Sequence, residues 1–321
     1  MDYIDEPDVQ MLSKTWQNVP HDPERTINLY RNLSRIMLSL SQIPLPRIGA
    51  WTIDSNEVLQ LSNRPPTLRL HQLENAGVPT NISRDLTYPS ADSYYLDILS
   101  CHDSRIRHQP NSIEDEEDGR AQVANLSIMR ALLPHFTNRE FRQGPFFYRF
   151  TELHPSNIFV DDQWHIQYLV DLEWTCSLPA ETLRPPYWLT GHTIDCLLDE
   201  CLATFSKEHD KFMEVFEQEE KQFPPLFNTC AFRTNFRKGW KVGNFWFFHA
   251  LDSTKGLFNL FQDHIQPKFA PSQVDHPSDF SRIVSEYWAV DTKNVMEQKL
   301  KDKEAYENEL RLRFQNAPNR T

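Results

Sequence analysis

Apolar residues recur every three to four positions over residues 22–42, DPERTINLYRNLSRIMLSLSQ. This spacing puts Ile27, Tyr30, Leu33, Met37 and Leu40 on one stripe and predicts a helix. Asp22 is placed to cap it, Pro23 suits its first turn, and Pro44 and Pro46 stop it. The pattern then shortens. RIGAWTIDSNEVLQLSNRPP reads as a hairpin with DSNE as its turn and Pro65–Pro66 as its end. Residues 104–119, SRIRHQPNSIEDEEDG, are polar and acidic and predict a solvated loop. A helix follows, with Val123, Leu126, Met129, Leu132 and Leu133 on one side. Beyond PAETLRPPYWL the periodicity is helical to the end of the chain, with helices expected near 194–222, 244–264 and 278–315. The last of these is dense in charge and amphipathic. The fold class expected is α+β, predominantly helical, with a small β element ahead of the C-terminal helices.

That β element is the chemically dense part. In YRFTELHPSNIFVDDQWHIQYLVDLEW, residues 148–174, the runs NIFV and IQYLVD flank DDQWH and predict a hairpin turning near Trp164. Antiparallel pairing would bring Asn157 and Asp171 side by side at its open end, with Glu152 on the loop leading in. An acid, an amide and a second acid suit phosphoryl transfer. Mg²⁺ takes carboxylate and amide oxygens beside phosphate oxygens, and a further carboxylate receives or orients the hydroxyl proton of the acceptor. The alternative is structural, with Asn and Asp capping turns at the ends of a hairpin. Asp161 and Asp162 read as turn residues.

Composition narrows the chemistry. The chain has 321 residues and only 8 glycines, and neither G-x-x-x-x-G-K-[ST] nor G-x-G-x-x-G occurs. A formal net charge of −12 argues against general affinity for nucleic acid or anionic membranes. No apolar run approaches a membrane span, and MDYIDEPDVQ lacks the basic and apolar regions of a secretory signal, so a cytoplasmic location is expected. The five cysteines (Cys101, Cys176, Cys196, Cys201 and Cys230) form no C-x-x-C pair and read as reduced core thiols, with Cys196 and Cys201 as buried helix residues. Phe245, Trp246, Phe247 and Phe248 read as core, with the lining of an acceptor pocket as the alternative.

TELHPSNIFVDDQWHIQYLVDLEW followed by LPAETLRPPYWLT resembles the aminoglycoside phosphotransferase-like family, in particular its fungal branch. YIDE, PRIGAWTID, NRPPTLRL and HQPN extend the resemblance through nearly all of the chain. The family pattern is H-G-D-L-H-x-x-N and then D-[WLF]-E. The resemblance implies a kinase-like fold and transfer of the γ-phosphate of ATP or GTP to a small-molecule hydroxyl with Mg²⁺. It places the catalytic carboxylate on Glu152 and the metal ligands on Asn157 and Asp171, and it gives His154 and Glu173 supporting positions. It also implies that residues 1–16 correspond to a hinge, that 17–321 form a carboxyl-terminal lobe, and that most of an N-terminal lobe is missing. Two departures from the pattern argue against full activity. Glu152 stands where the family has Asp, and no phosphate-covering loop is present. The other expectation is therefore a catalytically inactive kinase-like binding or interaction protein, with room for a protein partner.

Overall fold

The computed structural model describes residues 4, 6–16, 22–224, 239–271 and 277–315. The fold is mostly helical, 58% helix and 11% strand, with small antiparallel sheets. Cys230 lies outside the described residues. Strands β1 (Gln10–Met11), β2 (Ala50–Ile53), β3 (Leu59–Asn63), β4 (Phe147–Phe150), β5 (Ile158–Val160), β6 (Ile166–Leu169) and β7 (Thr175–Leu178) form three sheets, ordered β1-β5-β6, β2-β3 and β4-β7. The longer helices are α1 (Pro23–Ser41), α2 (Leu68–Asn75), α3 (Ala91–His108), α4 (Glu116–Phe136), α5 (Asp199–Glu220), α6 (Asn244–Asp252), α7 (Pro277–Ser285) and α8 (Thr292–Gln315). The chain divides into two compact units. One comprises Met1–Leu68, Ser83–Ser93 and Thr137–Phe248, and the other Arg69–Ile82, Tyr94–Phe136 and His249–Thr321.

In the first unit, α1 packs on α5. Asp22 caps α1 by accepting the Arg25 N–H at 3.0 Å. The buried face carries Thr26, Leu29, Tyr30, Leu33, Ser34, Leu38 and Ser41, while Ile27 points outward at 44% exposure. The stripe expected from Ile27 to Leu40 advances about 3.2 residues per turn and drifts off the helical period of about 3.6. The face actually buried keeps that period by using small hydroxyl residues. Tyr30 meets Phe212 edge to face at 5.3 Å, and the buried Glu219 carboxylate receives Arg31 at 3.3 Å and Arg35 at 2.6 Å. The hairpin at 50–63 turns as its sequence requires, with Asp54 Oδ1 accepting the N–H groups of Asn56 and Val58 at 2.8 and 3.0 Å. Phe245, Trp246, Phe247 and Phe248 are all buried, as core residues of α6.

The second unit centres on α4, which packs against α7 and α8. Gly119 makes this possible, since a Cβ there would fall 2.7 Å from Met296 Sδ. Arg107 grips Asp291 with two hydrogen bonds of 2.9 and 2.8 Å and lies over the Trp288 ring at 4.5 Å. Asp103 pairs with Arg130 and accepts Trp288 Nε1–H at 2.6 Å.

Four expectations need correction. The solvated loop at 104–119 is shorter, because α3 runs on through His108 and α4 already starts at Glu116. The acidic run Glu116–Glu117–Asp118 forms the first turn of α4, where carboxylates favour the positive end of the helix dipole. The helix expected over 244–264 stops at Asp252, and the Ser253 hydroxyl accepts the Gly256 N–H at 2.9 Å in the break. The helix expected over 278–315 is two helices, parted where Thr292 Oγ1 donates to the Ala289 carbonyl at 2.6 Å. Cys196 is exposed and outside any α-helix, because α5 begins only at Asp199, and Cys201 is half-buried. Cys101 and Cys176 are buried, as expected. Among the described residues no helix is long and apolar enough to cross a membrane.

Candidate functional site

The site lies in the first unit, between two nested antiparallel pairs. β4 pairs with β7, ending at Phe150 opposite Thr175. Between these strands the chain makes the inner pair β5–β6, with Ile158 opposite Leu169. Two connections therefore meet: residues 151–157 after β4, and residues 170–174 before β7. The inner turn forms as its sequence suggests. Asp161 Oδ1 accepts the N–H groups of Gln163 and His165, both at 2.9 Å. Burial raises the pKa of the Asp161 carboxyl, but these backbone donors and His165 outweigh it, and the net shift is downward. Asp161 is thus a turn residue. Trp164 sits at φ 59°, in the left-handed region, with its indole 5.2 Å from that of Trp16.

The first connection is heavily tied. Thr151 Oγ1 donates to the Trp174 carbonyl at 2.8 Å, closing one connection onto the other. Glu152 follows, its side chain only 11% exposed. Glu152 Oε2 lies 3.1 Å from His154 Nε2, and His154 Nδ1 lies 3.1 Å from the Tyr187 hydroxyl. Pro155 opens a 3₁₀ turn, Pro155–Asn157, closed by the Asn157 N–H on the His154 carbonyl at 2.9 Å. Asn157 Nδ2 then donates to the Glu152 carbonyl at 3.0 Å. With its amide N–H₂ held inward, Asn157 keeps Oδ1 as the atom a cation would use.

The second connection holds Asp171. Val170 N–H donates to the Asn157 carbonyl at 3.0 Å, so Asn157 stands opposite Val170, with Asp171 one residue further on. A register irregularity at Phe159/Val160 sets this pairing. Asp171 has φ 57° and ψ 47°, a left-handed conformation uncommon for a residue with a Cβ. It precedes the 3₁₀ turn Leu172–Trp174, yet its side chain does not cap that turn. The structural alternative, an aspartate kept for capping, therefore lacks its hydrogen bond. Glu173 lies exposed on the same turn.

Glu152 and Asp171 line one shallow hollow, open to solvent, together with Phe150, Thr151, Leu153, Val170, Leu172, Trp174 and Thr175. Asn157, His154 and Glu173 are not part of its wall. Among the described residues no group of three or more His, Cys, Asp or Glu side chains could hold a metal ion. The candidate donor set is accordingly one carboxylate and one amide oxygen, hard ligands that suit Mg²⁺ when water and phosphate complete its shell.

Two residues without a role in the sequence reading complete the site. Tyr187 touches His154, and Trp188 Nε1 donates to the Leu153 carbonyl at 2.9 Å. Both belong to PPYWL, a segment that enters the sequence analysis only through the family resemblance. Compared with known protein families, curated proteins and solved structures, the chain matches none.

Proposed function

We propose that the chain is an aminoglycoside phosphotransferase-like protein whose chemistry is transfer of the γ-phosphoryl group of ATP, or GTP, to a small-molecule hydroxyl. One observation carries the reading. Two carboxylates from different connections, Glu152 and Asp171, line the same hollow, and Asp171 occupies a left-handed backbone without a capping hydrogen bond from its side chain. Backbone conformations of this kind concentrate at functional sites. Asp171 and the Asn157 amide oxygen would hold Mg²⁺, which when bound neutralises phosphate charge. Glu152 receives the acceptor hydroxyl and takes up its proton as the oxygen becomes a nucleophile. Glutamate carries its carboxylate one methylene further than aspartate, and the hydrogen bond from His154 fixes where that longer arm ends.

The size of the hollow favours a second reading. It encloses almost no volume of its own, whereas small-molecule pockets commonly hold roughly 300–1,000 Å³. A catalytically silent binding protein with a kinase-like architecture would have this geometry, and a protein partner then replaces the acceptor molecule.

Thermal unfolding of the purified chain with EDTA, with Mg²⁺ and with Mg·ATP decides between them. Ligand at about 100 times its dissociation constant stabilises by roughly 2.7 kcal/mol. A Mg²⁺-dependent shift with ATP supports the phosphotransferase reading, and no shift at millimolar Mg·ATP overturns it.

A further inference from the structure

The segment containing Tyr187 and Trp188 grips the Glu152 loop at two consecutive positions. Trp188 holds the Leu153 carbonyl, and Tyr187 meets His154 both through its hydroxyl and ring to ring, at 5.9 Å and 72°. The support behind this grip is firm. Trp188 is 4% exposed, its carbonyl accepts Trp16 Nε1–H at 2.9 Å, and the two indoles meet edge to face at 5.5 Å. Tyr187 is therefore anchored independently of the loop it touches.

The hydrogen-bond chemistry gives this contact a direction. A carboxylate only accepts, so the 3.1 Å contact between Glu152 Oε2 and His154 Nε2 requires the proton on Nε2. A neutral imidazole then presents Nδ1 as an acceptor, and the donor 3.1 Å away is the Tyr187 hydroxyl. With the imidazole neutral, the donors run one way, from Tyr187 to His154 to Glu152. From this we infer that Tyr187 is a positioning residue which, through His154, fixes the orientation of the Glu152 carboxylate. One carboxylate oxygen is engaged by the imidazole, and the other remains to meet a substrate hydroxyl. A glutamate has one more rotatable bond than an aspartate, so an unheld Glu152 would spread its carboxylate over several positions. What Glu152 does once aimed rests on the phosphoryl-transfer reading, whereas the aiming itself does not.

Tyr187→Phe removes the hydroxyl and keeps the ring. In histidine-labelled protein, the His154 Nε2–H should give a slowly exchanging imidazole resonance by NMR. The expected result is loss of that resonance in Tyr187→Phe and in Glu152→Ala, at an unchanged far-UV circular dichroism spectrum. Turnover with Mg·ATP and an acceptor found by screening should fall about 10- to 100-fold in Tyr187→Phe, with the KM for Mg·ATP within about twofold, as for a displaced catalytic group. His154→Gln, which cuts the same chain at its middle, should lower turnover to the same extent. A resonance that survives Tyr187→Phe, or turnover that does not fall, overturns the inference. If the parent protein neither binds nor consumes Mg·ATP, the phosphoryl-transfer reading fails, and the NMR comparison still decides whether Tyr187 positions Glu152.

Discussion

Replacing Asp171 by glycine, alanine and asparagine separates what its backbone demands from what its carboxylate does. At φ 57° and ψ 47°, a residue with a Cβ pays roughly 1–2 kcal/mol relative to right-handed geometry, and Asp and Asn bear it best. The Asp171 side chain makes no capping hydrogen bond that offsets this cost. Glycine relieves the conformation but loses about 0.4–1 kcal/mol through its freer unfolded chain, while alanine keeps the strain without aspartate's tolerance of it. Asp171→Gly should therefore be more stable than Asp171→Ala by about 1 kcal/mol, or about 1.5 °C in Tm for a chain of this size. Asp171→Asn should stay within about 0.5 kcal/mol of the parent. All three remove the carboxylate, so all three should lose the Mg²⁺-dependent part of the Mg·ATP shift. Thermal unfolding of the four proteins in EDTA, Mg²⁺ and Mg·ATP measures both effects. A Mg²⁺-dependent shift that persists in Asp171→Gly removes Asp171 from the metal site. Equal stability of the alanine and glycine variants removes the argument from backbone strain.

Three further outcomes follow from buried groups and tight contacts. Burial, with Asp92 adding to it, raises the pKa of the Glu181 carboxyl, and Oε2 has no hydrogen-bond partner while Oε1 accepts the Asn138 N–H at 2.7 Å. A group whose folded pKa is raised contributes stability that is lost as pH rises through that pKa. Glu181→Gln should therefore stabilise by about 1–3 kcal/mol near pH 7–8, with the gain fading toward pH 4; urea unfolding at both pH values tests this. His102 runs the opposite way. Burial is the main cause holding its imidazole down to about 4 from 6.5, against the pull of its 2.8 Å contact with the Leu251 carbonyl. The unfolded chain then binds a proton that the folded chain refuses, so stability present above pH 6.5 should fall by about 3 kcal/mol as pH drops to about 4. A denaturation series whose midpoint is flat between pH 7 and pH 4.5 would contradict this, since His209 and His264 are shifted downward by burial as well. Finally, a Cβ at Gly49 would lie 2.7 Å from both the Asn63 carbonyl oxygen and Thr87 Cγ2. A backbone atom cannot swing away, so Gly49→Ala should cost about 2 kcal/mol in chemical denaturation.

The hairpin that carries Asn157 was legible because its information is local. Two β-type runs flank a segment in which Asp161 accepts the very N–H groups that the turn exposes. The long-range parts were not legible. Turns of this length usually place glycine at the left-handed position, and Trp164 occupies it here because its indole is buried against Trp16, far away in sequence. The buried face of α1 was missed for a related reason, since Thr26, Ser34 and Ser41 are buried and carry no apolar signal. Tyr187 lies 33 residues from His154, so no spacing rule could connect them.

The meeting of Glu152 and Asp171 is a matter of topology more than of motif. Pairing β4 with β7 encloses the β5–β6 hairpin, and an enclosed hairpin forces the connections at its two ends to run side by side. Glu152 lies two residues beyond Phe150, and Asp171 two residues beyond Leu169. Both carboxylates thus fall at the mouth of the nested pairs, where the Thr151 hydroxyl ties one connection to the other at the Trp174 carbonyl. An insertion in either connection would separate the two acids without disturbing a single strand pair. A single inserted glycine after Leu172 is therefore a sharper probe of their joint action than deleting either acid. It should leave the unfolding midpoint within about 1 kcal/mol of the parent, because only an exposed turn is lengthened, and abolish any Mg²⁺-dependent response to ATP. A response that survives the insertion means that the two acids do not act as one site.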